Sequence, residues 1–372
     1  MKKALIALAV LGAASGAAMA QSSVTLYGVA DIAIGKAASA GDTKFGAQSN
    51  TIVTNGTSRI GLTGKEDLGG GLWAGFRYES PVNLANGNTT GSNVTGAGLG
   101  WNREANVMLG SPAWGTVKLG RSTTPTYDGQ GVYELTGWAN YSVVANTFGW
   151  GGVPFPRNNA QIEYITPSIY GLSAALSYIP KAEGAVINGY DPLGTKGTNG
   201  QNNKADRWDF NLAYNQGPIK AAFTVDKPGH VTNTPGYSAA NKANYTIGGS
   251  YTFGNMFALA VSYNRANNAQ PWRLRQAGCN NVYVCAAGDS GAVAYGARRY
   301  GWELGGSVFL GAFTVTLDLT RDTKNQLYAN DKKYTNGLLE GKYALSKRTF
   351  LYADYLRLDG YNNYGLGVRH NF

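Results

Sequence analysis

From Val24 to Phe372 the chain alternates apolar and polar positions with a period of two. Trp208, Phe210, Leu212 and Tyr214 share one parity; Arg207, Asp209, Asn211 and Ala213 take the other. Successive side chains of a strand point to opposite faces, so this segment predicts a strand with one apolar face. The pattern returns in Ile219, Ala221, Phe223 and Val225 against Lys220, Ala222, Thr224 and Asp226. It returns again in Phe313, Val315, Leu317 and Leu319 against Thr314, Thr316, Asp318 and Thr320. At the C-terminus Tyr364, Leu366, Val368, His370 and Phe372 oppose Gly365, Gly367, Arg369 and Asn371. No helical period of comparable length competes.

The connections alternate in length. Short turns occur at Asp67–Gly71, Ser111–Gly115, Asn215–Pro218, Phe253–Asn255 and Leu345–Arg348. Long polar segments, rich in Gly, Asn, Pro and Ser, run over Ser122–Pro156, Pro180–Asp206 and Arg265–Arg299. Short turns at one end and long loops at the other describe an up-and-down antiparallel meander of about sixteen strands, the even number that a membrane barrel with both ends on one side requires.

The polar parity is Gly, Ser, Thr, Asn, Asp and Arg in strand after strand, too polar for a soluble sandwich exterior. Closing the sheet with that face inward gives a wet lumen, and in hydrocarbon a sheet must close to satisfy its backbone. The expected fold is therefore an all-β transmembrane barrel. Tyr27, Tyr78, Tyr178, Tyr214, Tyr251, Tyr263, Tyr343 and Tyr355 fall near strand ends, where an aromatic girdle belongs; ordinary sheet packing is the other reading. Composition agrees: mean hydropathy is −0.24, and the longest apolar run, Ala4–Ala14, is too short for a helical span.

Residues 1–20 form a separate unit: Lys2 and Lys3, a short apolar stretch, then Ala18-Met19-Ala20. This is the pattern of a secretory signal, leaving 21–372 as the barrel. Export places Cys279 and Cys285 in an oxidising compartment, where a short loop disulfide is the favoured state over free thiols. The net charge of +10 falls by two with the signal and is dispersed along strands and loops, which argues against a nucleic-acid surface. His230 and His370 are the only histidines, and neither has a serine and an acid at hydrolase spacing. No metal or cofactor is expected.

The runs Ser22–Gly28, Ser58–Leu72, Gly115–Arg121 and Gly365–Phe372, in that order, resemble the general porins of Gram-negative bacteria, and among them the proteobacterial anion-preferring porins. The resemblance covers essentially the whole chain after the signal. It implies a sixteen-stranded, homotrimeric outer-membrane barrel with a long third loop folded into the lumen, and a role for terminal Phe372 in recognition by the assembly machinery. Its surroundings are then outer-membrane lipid and lipopolysaccharide, and its solutes small anions and other hydrophilic molecules.

The residues lead to a constriction separately. Ser122–Pro156, the third long loop, carries Trp138, Tyr141, Phe148, Trp150, Val153 and Phe155. Inside the lumen these pack on the wall while Asp128 and Glu134 face the passage; a cap on the outer surface is the other reading. Arg59 shares a face with Thr63 and Lys65, and Arg157 with Gln161 and Glu163, so both point inward. At ~3.3 Å per residue from the short turns both sit near mid-barrel. Arg77, beside Trp73, Gly75 and Glu79, also points inward. Periodicity sends Arg103, with Ala105, Val107 and Leu109, outward, whereas the resemblance assigns it to the lumen; Arg121, with Val117 and Leu119, carries the same conflict. Two functions stay open on these residues: a diffusion channel with modest anion preference, or a substrate-specific channel with a saturable site at loop three.

Overall fold

The computed structural model describes residues 23–38, 45–89, 100–150, 156–180, 206–227, 242–267 and 298–372. The signal segment, Cys279 and Cys285, His230, Val153 and Phe155 lie outside them.

The described chain is almost wholly strand: β1 (Ser23–Lys36), β2 (Phe45–Gln48), β3 (Arg59–Gly69), β4 (Leu72–Pro81), β5 (Glu104–Ser111), β6 (Gly115–Thr123), β7 (Arg157–Ile165), β8 (Leu172–Ile179) and β9 (Arg207–Gln216). There follow β10 (Ile219–Lys227), β11 (Asn244–Phe253), β12 (Phe257–Ala266), β13 (Arg299–Leu310), β14 (Phe313–Asn325), β15 (Thr335–Ala344), β16 (Thr349–Leu358) and β17 (Tyr361–Asn371). Each pairs antiparallel with its sequence neighbour from β3 to β17, and β1 bonds to both β3 and β17, closing a ring of sixteen. β2 is additional. It folds back on the last residues of β1, Ala33 to Lys36, so the first long gap contains a strand that periodicity does not show.

Closure is direct at the seam. The Gly28 amide donates to the Phe372 carbonyl at 3.0 Å, and the Phe372 amide donates to the Gly28 carbonyl at 3.1 Å. Gly28 also leaves room for the terminal ring, into which any Cβ at that position would run. With every strand of the ring paired on both sides, no backbone edge faces lipid.

Side-chain burial follows the expected parity. Val24, Leu304, Leu310 and Leu366 are 62–66% exposed on the outer face, while Asp209, Thr224, Asp318 and Asn363 are fully enclosed on the inner one. Such an outer band is suited to hydrocarbon. One girdle assignment fails: Tyr27 lies on the inner parity, and its hydroxyl donates to Glu79 at 3.0 Å inside the barrel.

The inside is not hollow. Loop three leaves β6 through α1 (Pro125–Gly131) and α2 (Val143–Phe148) before entering β7. Thr124 caps α1 by accepting from the Tyr127 amide at 3.1 Å, with Pro125 in the first turn where its missing N–H is not needed. Ser142 caps α2 in the same way. Loop three then lines one side of the lumen: Thr126 donates to Asp209 through its amide and hydroxyl at 2.7 and 3.0 Å, and Lys342 donates to the Thr136 carbonyl at 2.8 Å. Asn55 donates to the Tyr141 hydroxyl at 2.7 Å; Asn336 donates to Thr147, which also bonds Thr320. Ile52, Val53, Ala139, Tyr141, Val143, Leu338, Tyr352 and Leu356 form a small apolar core between loop and wall. These anchors place the loop inside the barrel, against β9 to β16, and not over its mouth.

Candidate functional site

Loop three covers one side of the lumen and leaves the other, β3 to β7, facing it. That second wall carries the arginines. Arg59 at the start of β3 and Arg103 just before β5 both grip Glu79 of β4, with Nε–Oε distances of 3.1 and 2.5 Å. Arg157 at the start of β7 lies 3.6 Å from Glu104 of β5, and Lys118 of β6 pairs with Glu163 of β7 at 2.8 Å. Arg121 donates to the Asn102 carbonyl and to Asn159. The side chains of Arg59, Arg103 and Arg157 keep 22%, 16% and 13% of their surface open, against 7% for Glu79 and Glu104. The cations, more than the carboxylates, therefore border the water.

The inward course of three arginines depends on local breaks in alternation. Arg103 sits on a bend before its strand, so strand parity does not govern it. Arg121 follows Gly120, whose φ of +123° accompanies a register shift between β6 and β7. A Cβ at Gly120 would press into the Ala105 carbonyl, so the irregularity needs glycine there. On β7 the same shift is met by Ala160 at φ +48°. It brings Asn158 to the buried side along with Gln161 and Glu163. Arg157 thus reaches the lumen from its place at the strand start beside loop three, and unbroken alternation from Gln161 is not the reason.

Two expected members stand apart. Arg77 is exposed on the inner parity, level with Thr63 and Asn106, and does not join the Glu79 bridge. Glu134 is a correction: it is 8% exposed and does not face the passage. Its carboxylate accepts from the Thr136 amide at 2.9 Å, the Thr136 hydroxyl at 2.5 Å and the Trp138 amide at 2.8 Å, bracing the loop from within. Asp128 is exposed and accepts from the Thr123 hydroxyl at 3.0 Å. Near Asp128, Tyr127, Trp138 and Trp150 of the loop are half-buried and in mutual ring contact. Burial pushes the Tyr127 hydroxyl above its ordinary value, while the charges of Arg157 and Arg103 pull it down.

Sequence reasoning passed over three participants. Glu79 is the hub of two ion pairs and of Tyr27; Lys118 lies on the inward parity opposite Val117 and Leu119, a legible signal. Arg369 of β17 donates to Asn55 at 2.8 Å and extends the basic wall past the seam.

A closed sixteen-strand barrel, apolar outside and charged inside, with a loop narrowing its lumen, defines a membrane channel of the porin class. A family model described as Gram-negative porin matches residues 7–363. The chain is 30% identical over 400 residues to an outer membrane porin protein of Bordetella pertussis, covering 100% of both. It is 37% identical over 264 residues to outer membrane porin protein 32 of Delftia acidovorans, covering 68% of this chain and 67% of that one. An anion-selective porin from Comamonas acidovorans has the same fold, with a TM-score of 0.67 at 24% identity over 95% of this chain and 100% of that one. The chain belongs to the Gram-negative porin family. It resides in the outer membrane and forms a water-filled channel for passive diffusion of small hydrophilic solutes; the members of this family are channels and not enzymes.

Proposed function

We infer that this porin prefers anions, and that the preference arises at the wall formed by Arg59, Arg77, Arg103, Arg121 and Arg157. The observation that carries the reading is the charge imbalance at the passage: five guanidinium groups stand with Glu79 and Glu104 of the same wall and Asp128 of loop three, and the two glutamates are more enclosed than the cations they bind. Guanidinium remains charged at every biological pH and is weakly hydrated, so it concentrates anions without holding them tightly. Charges of one sign lining a narrow aqueous passage raise the local concentration of counter-ions and repel co-ions. Diffusion needs no energy input and no moving part.

The test is the reversal potential of single channels in a KCl gradient across a planar bilayer. A potential displaced toward that of chloride supports the reading, and one at zero or toward potassium refutes it. The homotrimer, the surrounding lipopolysaccharide and the role of Phe372 in assembly are part of the same proposal, resting on the family. Conductance steps in threes and a heat-labile oligomer on gels are the expected observations. The exposed Phe372 ring at the seam is compatible with its being read before the barrel closes.

A further inference from the structure

Three aromatic rings from separate stretches of loop three meet at one place. Tyr127 of α1 stacks on Trp138 with ring centroids 4.7 Å apart and planes 13° from parallel. Trp150, beyond α2, closes the group at 4.9 Å from Trp138 and 5.5 Å from Tyr127. Among the described residues, the other large rings of the loop are fully taken up by the wall: Tyr133, Tyr141 and Phe148 are 1%, 0% and 2% exposed. Tyr127, Trp138 and Trp150 are only half-buried. Among the described residues, they are the large rings of the loop that wall packing does not consume.

Their position is actively held. Trp138 has a φ of +60°, a backbone conformation that a bulky residue adopts only under constraint. The constraint is Glu134, whose buried carboxylate accepts the Trp138 amide. A ring needed only as filler would not require a left-handed residue fixed by a buried acid. The cluster also lies beside charge: α1 springs from Thr124, whose amide donates to the Pro156 carbonyl at 3.0 Å, and the preceding Thr123 pairs with Arg157 across β6 and β7. An aromatic surface and a row of guanidinium groups thus border the same narrow water path.

Resting on the basic-wall reading above, we propose that this constriction is a transient binding site for flat aromatic carboxylates. The ring lies against Tyr127, Trp138 and Trp150 while the carboxylate is taken by Arg103 and Arg157 opposite. Arginine is matched to this ligand twice over, because its planar fork pairs with carboxylate and its face stacks on aromatic rings. A halide engages the arginines alone, and a saturated acid has no π face to offer. The expected discrimination between an aromatic acid and its saturated analogue is about three- to tenfold in apparent affinity.

The experiment uses the full-length mature protein in planar bilayers in KCl. Block of the single-channel current is titrated with 2-naphthoate, with decahydro-2-naphthoate of equal charge, and with uncharged 2-naphthamide. Saturable block by 2-naphthoate, about three- to tenfold stronger than by the saturated acid, is the expected result. That advantage should shrink toward unity in Tyr127→Leu and in Trp150→Leu, each tested separately so that one that fails to fold leaves the other to decide. Equal block by the two acids, or an advantage that survives both substitutions, overturns the proposal. Block by the amide as strong as by 2-naphthoate overturns its carboxylate half. The reversal potential on the same wild-type channels reports separately on the basic wall: a chloride-selective channel without ring-specific block leaves that reading standing and removes only this one.

Discussion

Neutralising Glu79 is the sharpest perturbation of the basic wall. Glu79 holds Arg59 at 3.1 Å and Arg103 at 2.5 Å, and its enclosed carboxylate offsets one of the two charges. Glu79→Gln keeps the shape and one acceptor oxygen while deleting that offset. For an anion ~7 Å away in water, removing a unit negative charge is worth about 0.6 kcal/mol. Screening at 0.1 M salt, with a Debye length of about 10 Å, halves this to about 0.3 kcal/mol. A cation is disfavoured by the same amount, so the chloride-to-potassium permeability ratio should rise about threefold. Arg59→Gln should lower it by a similar factor. Reversal potentials in a tenfold KCl gradient, ~0.1 M on the high side, measure both. A ratio that stays constant or falls in Glu79→Gln would show that the wall charges do not set selectivity, and would refute the reasoning.

Other outcomes follow from the same geometry. Glu134→Ala strips the acceptor from Thr136 and Trp138, at a cost of about 1–3 kcal/mol for each buried donor left unpaired; it should raise current noise and single-channel conductance, and an unaltered record would show that Glu134 does not brace the loop. Arg299 is fully enclosed between Asp322 and Asp359, with contacts of 2.9 and 2.5 Å. Arg299→Met leaves two buried carboxylates without their cation and should lower unfolding stability by about 3–5 kcal/mol, read from denaturant midpoints, whereas an unchanged midpoint would show the network to be idle. Gly28→Val drives a side chain into the Phe372 ring and should slow barrel formation, followed by the mobility shift between folded and unfolded forms on unheated gels; equal rates would mean the seam tolerates bulk.

Strands were legible because the two faces of a barrel wall meet opposite solvents, so a single parity rule writes itself into Trp208–Tyr214 or Phe313–Leu319 without help from neighbours. The arginines were only half legible. Arg59 and Arg77 sit within regular alternation, but Arg121 is turned by an irregularity that depends on Gly120 and on the register of β7, a relation between two strands that no single segment encodes. Arg103 lies one residue outside β5, so the parity of that strand does not extend to it. Glu134 looked like a passage charge because an acid in a polar loop ordinarily faces water; its burial follows from the unpaired amides of a tight turn. Tyr27 has the residue type of a girdle ring, but its parity is inward, and parity is the better guide. The helices of loop three carry a local signal in Thr124-Pro125 and Ser142, faint beside the dominant period of two.

The bonds between Gly28 and Phe372 join the first strand to the final residue, so they span nearly the whole chain. Because β1 serves β3 with one half and β17 with the other, an incomplete polypeptide has no smaller ring to fall back on. The conformational entropy lost on bringing such distant segments together grows only logarithmically with their separation, but contacts so remote in sequence are intrinsically slow to form. Until they form, two strand edges remain as templates for any other unfinished chain. The barrel's lifetime as an aggregation hazard is thus set by its last event and not by its average one, and a helper that holds the terminal strand would shorten the single step on which the rest waits.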